Sequence, residues 1–125
     1  MTQEIPFDFT DQRIAVSPDR FVAQLPEKLT SRQELLQALY EGLRFPGYFG
    51  FNWDALADCL RDFEWLNERT VVLVHADLPQ LLVAEQKTYL EILADAVHSW
   101  QPDEEHRFEV AFPVEAQADV VAALA

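Results

Sequence analysis

The run Val71-Val72-Leu73-Val74 constrains the chain more than any other segment. Four consecutive apolar residues, three of them β-branched, suit a strand covered on both faces, and strands buried that way belong inside parallel sheets. Two more segments have strand character. Phe21-Val22-Ala23-Gln24-Leu25 stops at Pro26, and Phe108-Glu109-Val110-Ala111-Phe112 alternates up to Pro113. Between these three runs the period changes to that of a helix. Thr30 or Ser31, followed by Gln33 and Glu34, gives an N-cap and capping-box signal, and Leu35, Leu36, Leu39, Tyr40 and Leu43 follow at helical spacing to about Leu43. Asn52 can cap a second helix reaching about Asp62, with Leu56, Cys59, Leu60 and Phe63 as its inner stripe and Trp53 near its first turn. After Asp77 and Pro79 a long helical pattern, in one or two pieces, runs through Leu81, Leu82, Tyr89, Leu90, Leu93, Ala94 and Val97, and a last amphipathic piece spans about Ala116 to Leu124.

Strands separated by helices predict an α/β fold, a small three-stranded parallel sheet packed with three to four helices through right-handed crossovers. The chain has 125 residues, which is one domain's worth, and its 50% hydrophobic content is enough to build one core. We expect that core over about 21–112, with an N-terminal arm or edge strand over 1–20 and a C-terminal extension over 113–125.

Charge narrows the choice of partner. Nine Lys and Arg stand against 22 Asp and Glu, a formal net charge of −13. A chain this acidic repels phosphate backbones, which argues against nucleic acid as a direct ligand and favours a basic protein partner. The start, Met1 to Asp11, has neither the basic nor the apolar region of a secretory signal, and no stretch approaches a membrane span. Cys59 stands alone, so no internal disulfide framework and no Cys-rich zinc site is possible, and a reducing cytoplasmic setting fits. No cofactor or metal is expected. His75, His98 and His106 fall in a strand end, a helix and a loop, without the spacing of metal ligands.

The candidate site lies in the middle of the chain. Asp54, Asp58 and Asp62 recur at i, i+4 and i+8, which puts three carboxylates on roughly one helix face. Like charges at that spacing destabilise an isolated helix by about 0.2–0.5 kcal/mol per pair, so stability alone does not favour the ridge. Directly before it, Phe45-Pro46-Gly47-Tyr48-Phe49-Gly50-Phe51 crowds four aromatics into a Pro/Gly loop. Aromatic anchors beside charge are the usual make-up of an interface hot spot, and Tyr48 is the best candidate for a contact, while at least two of the phenylalanines are expected to cap the core.

The stretch Phe45 to Leu60, with Pro46, Tyr48, an aromatic at Phe49, Gly50, Asn52, Asp54, Ala55, Leu56, Asp58, Cys59 and Leu60 in one ungapped run, resembles the signature of the barstar family, intracellular inhibitors of small ribonucleases. The resemblance implies a barstar-like three-stranded sheet from about Phe21 to Phe112. It also implies an acidic plug for a ribonuclease active site, presented by Tyr48, Asn52, Asp54 and Asp58. We expect the free protein to be monomeric. Three positions depart from the pattern. Ala57 stands where barstar carries a large aromatic, and Phe51 and Trp53 replace an acidic and an aliphatic residue. Barstar also contributes an acid from a later helix, and Asp95 or Glu91 could fill that place.

Two other functions compete with this one. An immunity-type protein could use the same face against a basic partner that is not a ribonuclease. A metal-dependent phosphate enzyme would need Asp54, Asp58 and an acid such as Asp77 to converge on one Mg²⁺, which a straight row of aspartates does not do. Cys59, on the predicted apolar stripe, is expected to be an inert buried thiol.

Overall fold

The computed structural model of the chain describes residues 5–125. The residues around Val71–Val74 form strand β3 (Thr70–His75), the inner strand that was expected. It lies between β2 (Arg20–Leu25) and β4 (Arg107–Phe112), and a two-residue strand β1 (Asp8–Phe9) flanks β4 on its other side. The sheet order is β1-β4-β3-β2 and every pairing is parallel. The sheet therefore has four strands where three were expected. The added strand belongs to the segment expected as an arm or edge strand, of which residues 1–4 lie outside the described residues. Strand β1 pairs with β4 through Asp8 opposite Ala111 and Phe9 opposite Phe112, the Thr10 N–H donates to the Phe112 carbonyl at 2.9 Å, and the rings of Phe7 and Phe9, centred 5.5 and 6.1 Å from that of Phe112, pack beside the ladder.

Register decides what each face of the sheet meets. Phe21, Val71 and Phe108 align across the sheet, as do Ala23, Leu73 and Val110, and Leu25 pairs with His75. This face packs against the helices. They are α1 (Arg32–Gly42), α2 (Trp53–Leu60), α3 (Val83–Ser99) and, after a 3₁₀ turn at Val114–Ala116, α4 (Gln117–Leu124). Their buried residues, among them Leu36, Leu39, Leu56, Leu60, Leu90, Leu93 and Val120, join that face in one cluster. Each such side chain contributes about 1.5–3 kcal/mol through the apolar area it removes from water. The opposite face carries the rows Arg20, Thr70, Arg107 and Val22, Val72, Glu109. Val72 and Ala111 are buried on this face as well, and Ile14, in the segment that links the two edge strands, lines one cavity together with Val74 and Ala111.

Helix boundaries follow their caps. Ser31 is the N-cap of α1: its Oγ accepts the Glu34 N–H at 3.1 Å, and Glu34 Oε1 accepts both the Thr30 and Ser31 hydroxyls. Helix α3 is a single helix that starts only at Val83, so Leu81 and Leu82 precede it.

One polar group sits inside the apolar layer. His75 is buried, and its Nδ1 lies 3.1 Å from the Ala111 carbonyl, which only accepts, so Nδ1 carries the hydrogen. Nε2 is then free to accept from the Tyr89 hydroxyl at 2.6 Å, and the ring stacks on Phe112 at 4.0 Å. Burial pushes the His75 pKa down from 6.5 to about 3, with the Ala111 hydrogen bond opposing the shift.

The folded protein thus excludes a proton that the unfolded chain accepts below pH 6.5. Stability from this group is full above about pH 6.5 and is lost as pH falls toward 3. Urea unfolding should give a stability about 2 kcal/mol lower at pH 5 than at pH 7 from this histidine alone. Replacing His75 by Gln should remove that part of the pH dependence, and an unchanged slope in the variant would refute the assignment.

Candidate functional site

Asn52 sets the start of α2. Its backbone is extended at φ −141°, its Oδ1 accepts the Ala55 N–H at 2.7 Å, and its Nδ2 donates to the Gly50 carbonyl at 3.4 Å. Leu56, Cys59 and Leu60 turn inward, which leaves Asp54, Asp58 and Arg61 exposed on the outer face. The helix stops at Leu60, earlier than the expected Asp62. Arg61 is its C-cap, and Phe63 adopts a left-handed backbone at φ 52° so that its ring can be wholly buried. The ridge therefore has two carboxylates on the helix. Asp62 lies in the turn that follows, with its Oδ1 accepting the Glu64 N–H at 3.3 Å.

Helix α2 is pinned on both flanks. On one side Trp53 lies over Tyr89, with ring centroids 6.2 Å apart, and Trp100 Nε1 donates to the Leu60 carbonyl at 3.0 Å. The two contacts pair start with middle and end with end, so α2 and α3 run parallel, with Trp53 and Ala57 on the shared flank. On the other side the loop 44–51 passes Ala55. A Cβ on Gly50 would make ordinary contact with the Ala55 Cβ at 3.8 Å but would stand only 3.3 Å from Asn52 Nδ2, so glycine spares the capping amide a tight contact.

Aromatic packing makes that loop firm. Phe45 and Phe49 are buried with ring centroids 4.8 Å apart, and Phe45 meets Trp65 edge-on at 5.8 Å. These are the two phenylalanines that cap the core, as expected. Trp65 also fixes the end of α1, donating from Nε1 to the Leu43 carbonyl at 3.0 Å. Phe51 is 44% exposed, holds a left-handed φ of 52°, and leans on Tyr40 and Phe49 at 5.1 and 4.9 Å. Tyr48 is 74% exposed. Its phenol pKa is raised, by desolvation first and then by the negative charge of Asp62 and Glu64.

The carboxylates of Asp54 and Asp58 are left uncompensated. Among the described residues the ion pairs are Arg32 with Glu85 and Arg107 with Glu109, so Arg61 does not neutralise Asp58. Neither aspartate side chain makes a hydrogen bond among those residues. Cys59 is buried beneath them, and burial followed by the charges of Asp62 and Asp58 pushes its thiol up to about 11. It is a protonated packing residue.

The other candidates lie elsewhere. Asp95 and Glu91 are both exposed on α3. Asp77 Oδ2 accepts the Lys28 N–H at 2.9 Å, so it is engaged with the loop after β2, and among the described residues no group of three His, Cys, Asp or Glu side chains could hold a metal ion. Nor, among those residues, is any helix long and apolar enough to cross a membrane. Trp65 and Trp100 tie the ends of α1 and α2 to neighbouring elements. Their indole N–H groups, which need partners when buried, were the available sign that they tie helix ends.

A family model for barstar, the barnase inhibitor, matches residues 21–113, from β2 to the end of β4. The chain belongs to the barstar family. Membership implies an inhibitor of a barnase-type ribonuclease, and an inhibitor rather than an enzyme. The barstar match leaves β1 and α4 outside it, and it contains the whole of α2 and the aromatic loop. Comparison with curated proteins returns no match.

The uncompensated ridge has a measurable cost in the free protein. Asp58→Asn removes the repulsion with Asp54 and should raise stability by about 0.2–0.5 kcal/mol. Asp54→Asn relieves the same repulsion but gives up about 0.3–1 kcal/mol of attraction to the helix N-terminus, so it should be neutral or slightly destabilising. Denaturant titration of both variants checks the ordering. Equal effects would show that the two carboxylates sit in equivalent fields.

Proposed function

We propose that this chain is an intracellular inhibitor that blocks the active site of a small basic ribonuclease with the outer face of α2 and the loop before it. One observation carries the reading: Asp54 and Asp58 are exposed and unpaired on a helix held rigid from both flanks, beside an exposed Tyr48. A ribonuclease gathers Lys, Arg or His around the scissile phosphate. Carboxylates fixed on a helix can take those positions through charge-assisted hydrogen bonds while offering no bond to cleave. Inhibition is then competitive and reversible.

Each residue has its part. Asp54 and Asp58 supply charge and Tyr48 supplies an anchor. Asn52, whose amide is occupied with the cap, positions Asp54 through the first turn. Ala57 lies between the ridge and α3, half-buried, where its small side chain leaves room for a larger group of the partner. The phase of α3 supports Asp95 over Glu91 as the acid beyond it: at about 100° per residue, Asp95 lies about 40° nearer the flank that carries Tyr89 and Ala96 toward α2. A helix-side core that runs from Phe7 to Val120 supports a one-domain inhibitor. The lone buried thiol fits a reducing compartment.

Calorimetry with a barnase-type ribonuclease tests the reading at low and high salt, beside an RNA-cleavage assay. The expected outcome is tight binding that weakens with salt, inhibition at equal stoichiometry, and a loss of at least 100-fold in the Asp54→Ala, Asp58→Ala double variant. Asp95→Ala should lose affinity where Glu91→Ala does not. No binding by the wild type would sink the ribonuclease reading. Recovery of a basic non-nuclease by the wild type but not the double variant would then favour an immunity-type function for the same face.

A further inference from the structure

The chain has three tryptophans, and the fold satisfies the indole N–H of two of them. Trp65 Nε1 donates to the Leu43 carbonyl and Trp100 Nε1 to the Leu60 carbonyl, each at 3.0 Å. Trp53 Nε1 has no acceptor among the described residues. Nor is it sealed from water, because the buried side-chain nitrogen or oxygen without a partner among those residues is Asp77 Oδ1. Trp53 therefore carries an open donor on a half-buried ring. An indole with its body packed and its polar edge wet is the form tryptophan takes at interfaces.

The ring is oriented before any partner arrives. Its centroid lies 6.2 Å from that of Tyr89 at an interplanar angle of 30°, and Tyr89 is locked in turn by its hydroxyl on His75 Nε2 at 2.6 Å. Trp53 is also the first residue of α2, so the Asn52 cap fixes the turn that carries it. Ala57 stands one turn further along the same flank. Helical side chains lean toward the start of their helix, and a single methyl group at 57 covers little of the ring. A rigid aromatic donor gives up little conformational freedom on binding, which favours it as an energetic centre of an interface.

Position decides what this donor meets. Trp53 directly precedes Asp54, on the α3 side of the ridge, so a partner whose cations sit on Asp54 and Asp58 brings its rim over the indole. An anionic acceptor is repelled there by both aspartates and by a net charge of −13. The acceptor is then neutral. A main-chain carbonyl is the neutral acceptor that every residue offers, and one closed off from water needs a donor opposite it.

We infer that Trp53 is a contact residue of the inhibitory face, donating its indole N–H to a main-chain carbonyl of the ribonuclease at the α3 margin of the ridge. The inference rests on the proposed function and adds a neutral, directional contact to the charged ones. Asp54 and Asp58 set the rate of encounter, and the indole sets how long the complex lasts.

Indole NMR of the nitrogen-labelled chain, free and with an unlabelled barnase-type ribonuclease, tests this beside binding kinetics of Trp53→Phe. In the free protein the Trp53 indole proton should exchange with water faster than those of Trp65 and Trp100, and in the complex it should shift and become protected. Trp53→Phe keeps a ring on Tyr89, so its denaturation midpoint should match that of the wild type. Its affinity should fall about ten-fold through faster dissociation, with the salt dependence of association unchanged. A purely packing role would lower the midpoint and leave the indole signal unmoved by the ribonuclease. A Trp53 indole proton protected in the free protein, no change in it on complex formation, or wild-type affinity in Trp53→Phe would overturn the inference while the ribonuclease reading stands. Absence of binding by the wild type would overturn both.

Discussion

A single line of contacts joins the exposed helix to the centre of the sheet: Trp53 on Tyr89, the Tyr89 hydroxyl on His75 Nε2, and His75 Nδ1–H on the Ala111 carbonyl. It runs from α2 through α3 and β3 to β4. Each polar group in it has one partner of the right kind, and burial makes that requirement strict, since an unpaired group there costs about 1–3 kcal/mol. The tyrosine must donate and the histidine must accept at Nε2, so the position of α3 over the sheet is fixed as well as the tautomer. Burial pushes the Tyr89 phenol well above its ordinary value, which keeps the donor protonated. Displacement of α2 along α3 would disturb the Trp53 contact at one end and the Trp100 hydrogen bond at the other.

That rigidity explains how a repulsive feature persists. Asp54 and Asp58 cost the isolated helix a few tenths of a kcal/mol, and no cation among the described residues offsets them. The flanking contacts are worth several times more, because Leu56 and Leu60 are fully buried and Trp53 and Trp100 are anchored by ring and indole N–H. The fold therefore tolerates a charged face that local helix energetics disfavours. Carboxylates with no internal partner also need no rearrangement before they meet a cation, which is the condition under which charge complementarity speeds association.

Much of this architecture was legible in the sequence, and the unread parts share a cause. The Val71–Val74 run, the Ser31 and Asn52 caps and the alternation of Phe108–Phe112 are local signals, and each produced the element it announced. Strand β1 has only two residues and exists because Phe7 and Phe9 find Phe112, a partner about a hundred residues away in the chain. Helix α2 ends at Leu60 because the core draws Phe63 into a left-handed turn, although Asp62 continues the helical spacing. Leu81 and Leu82 fit the period of α3 and still lie outside it, with Leu82 exposed. At the site, the residue types and their order could be read, while the flank of α3 beside them could not. That flank depends on Trp53 and Trp100, whose contacts are tertiary.

The departures from the barstar pattern at Phe51 and Ala57 fall on the two margins of the acidic ridge, where they exchange an acidic group for a ring on the loop side and take away bulk on the α3 side. Phe51 adds a half-exposed ring on the loop side, braced by Tyr40 and Phe49 so that its orientation is set before any partner arrives. Ala57 removes bulk on the α3 side. Between them Asp54 and Asp58 keep their spacing. On the proposed reading, a partner matched to this surface would keep the cationic centre and present a different rim, with an apolar or guanidinium group opposite Phe51 and a larger side chain opposite Ala57. Affinity for a generic ribonuclease would come from the shared centre. Discrimination among ribonucleases would come from the margins, where a ring without a pocket or a depression without a knob leaves surface exposed to water on one side and unfilled on the other.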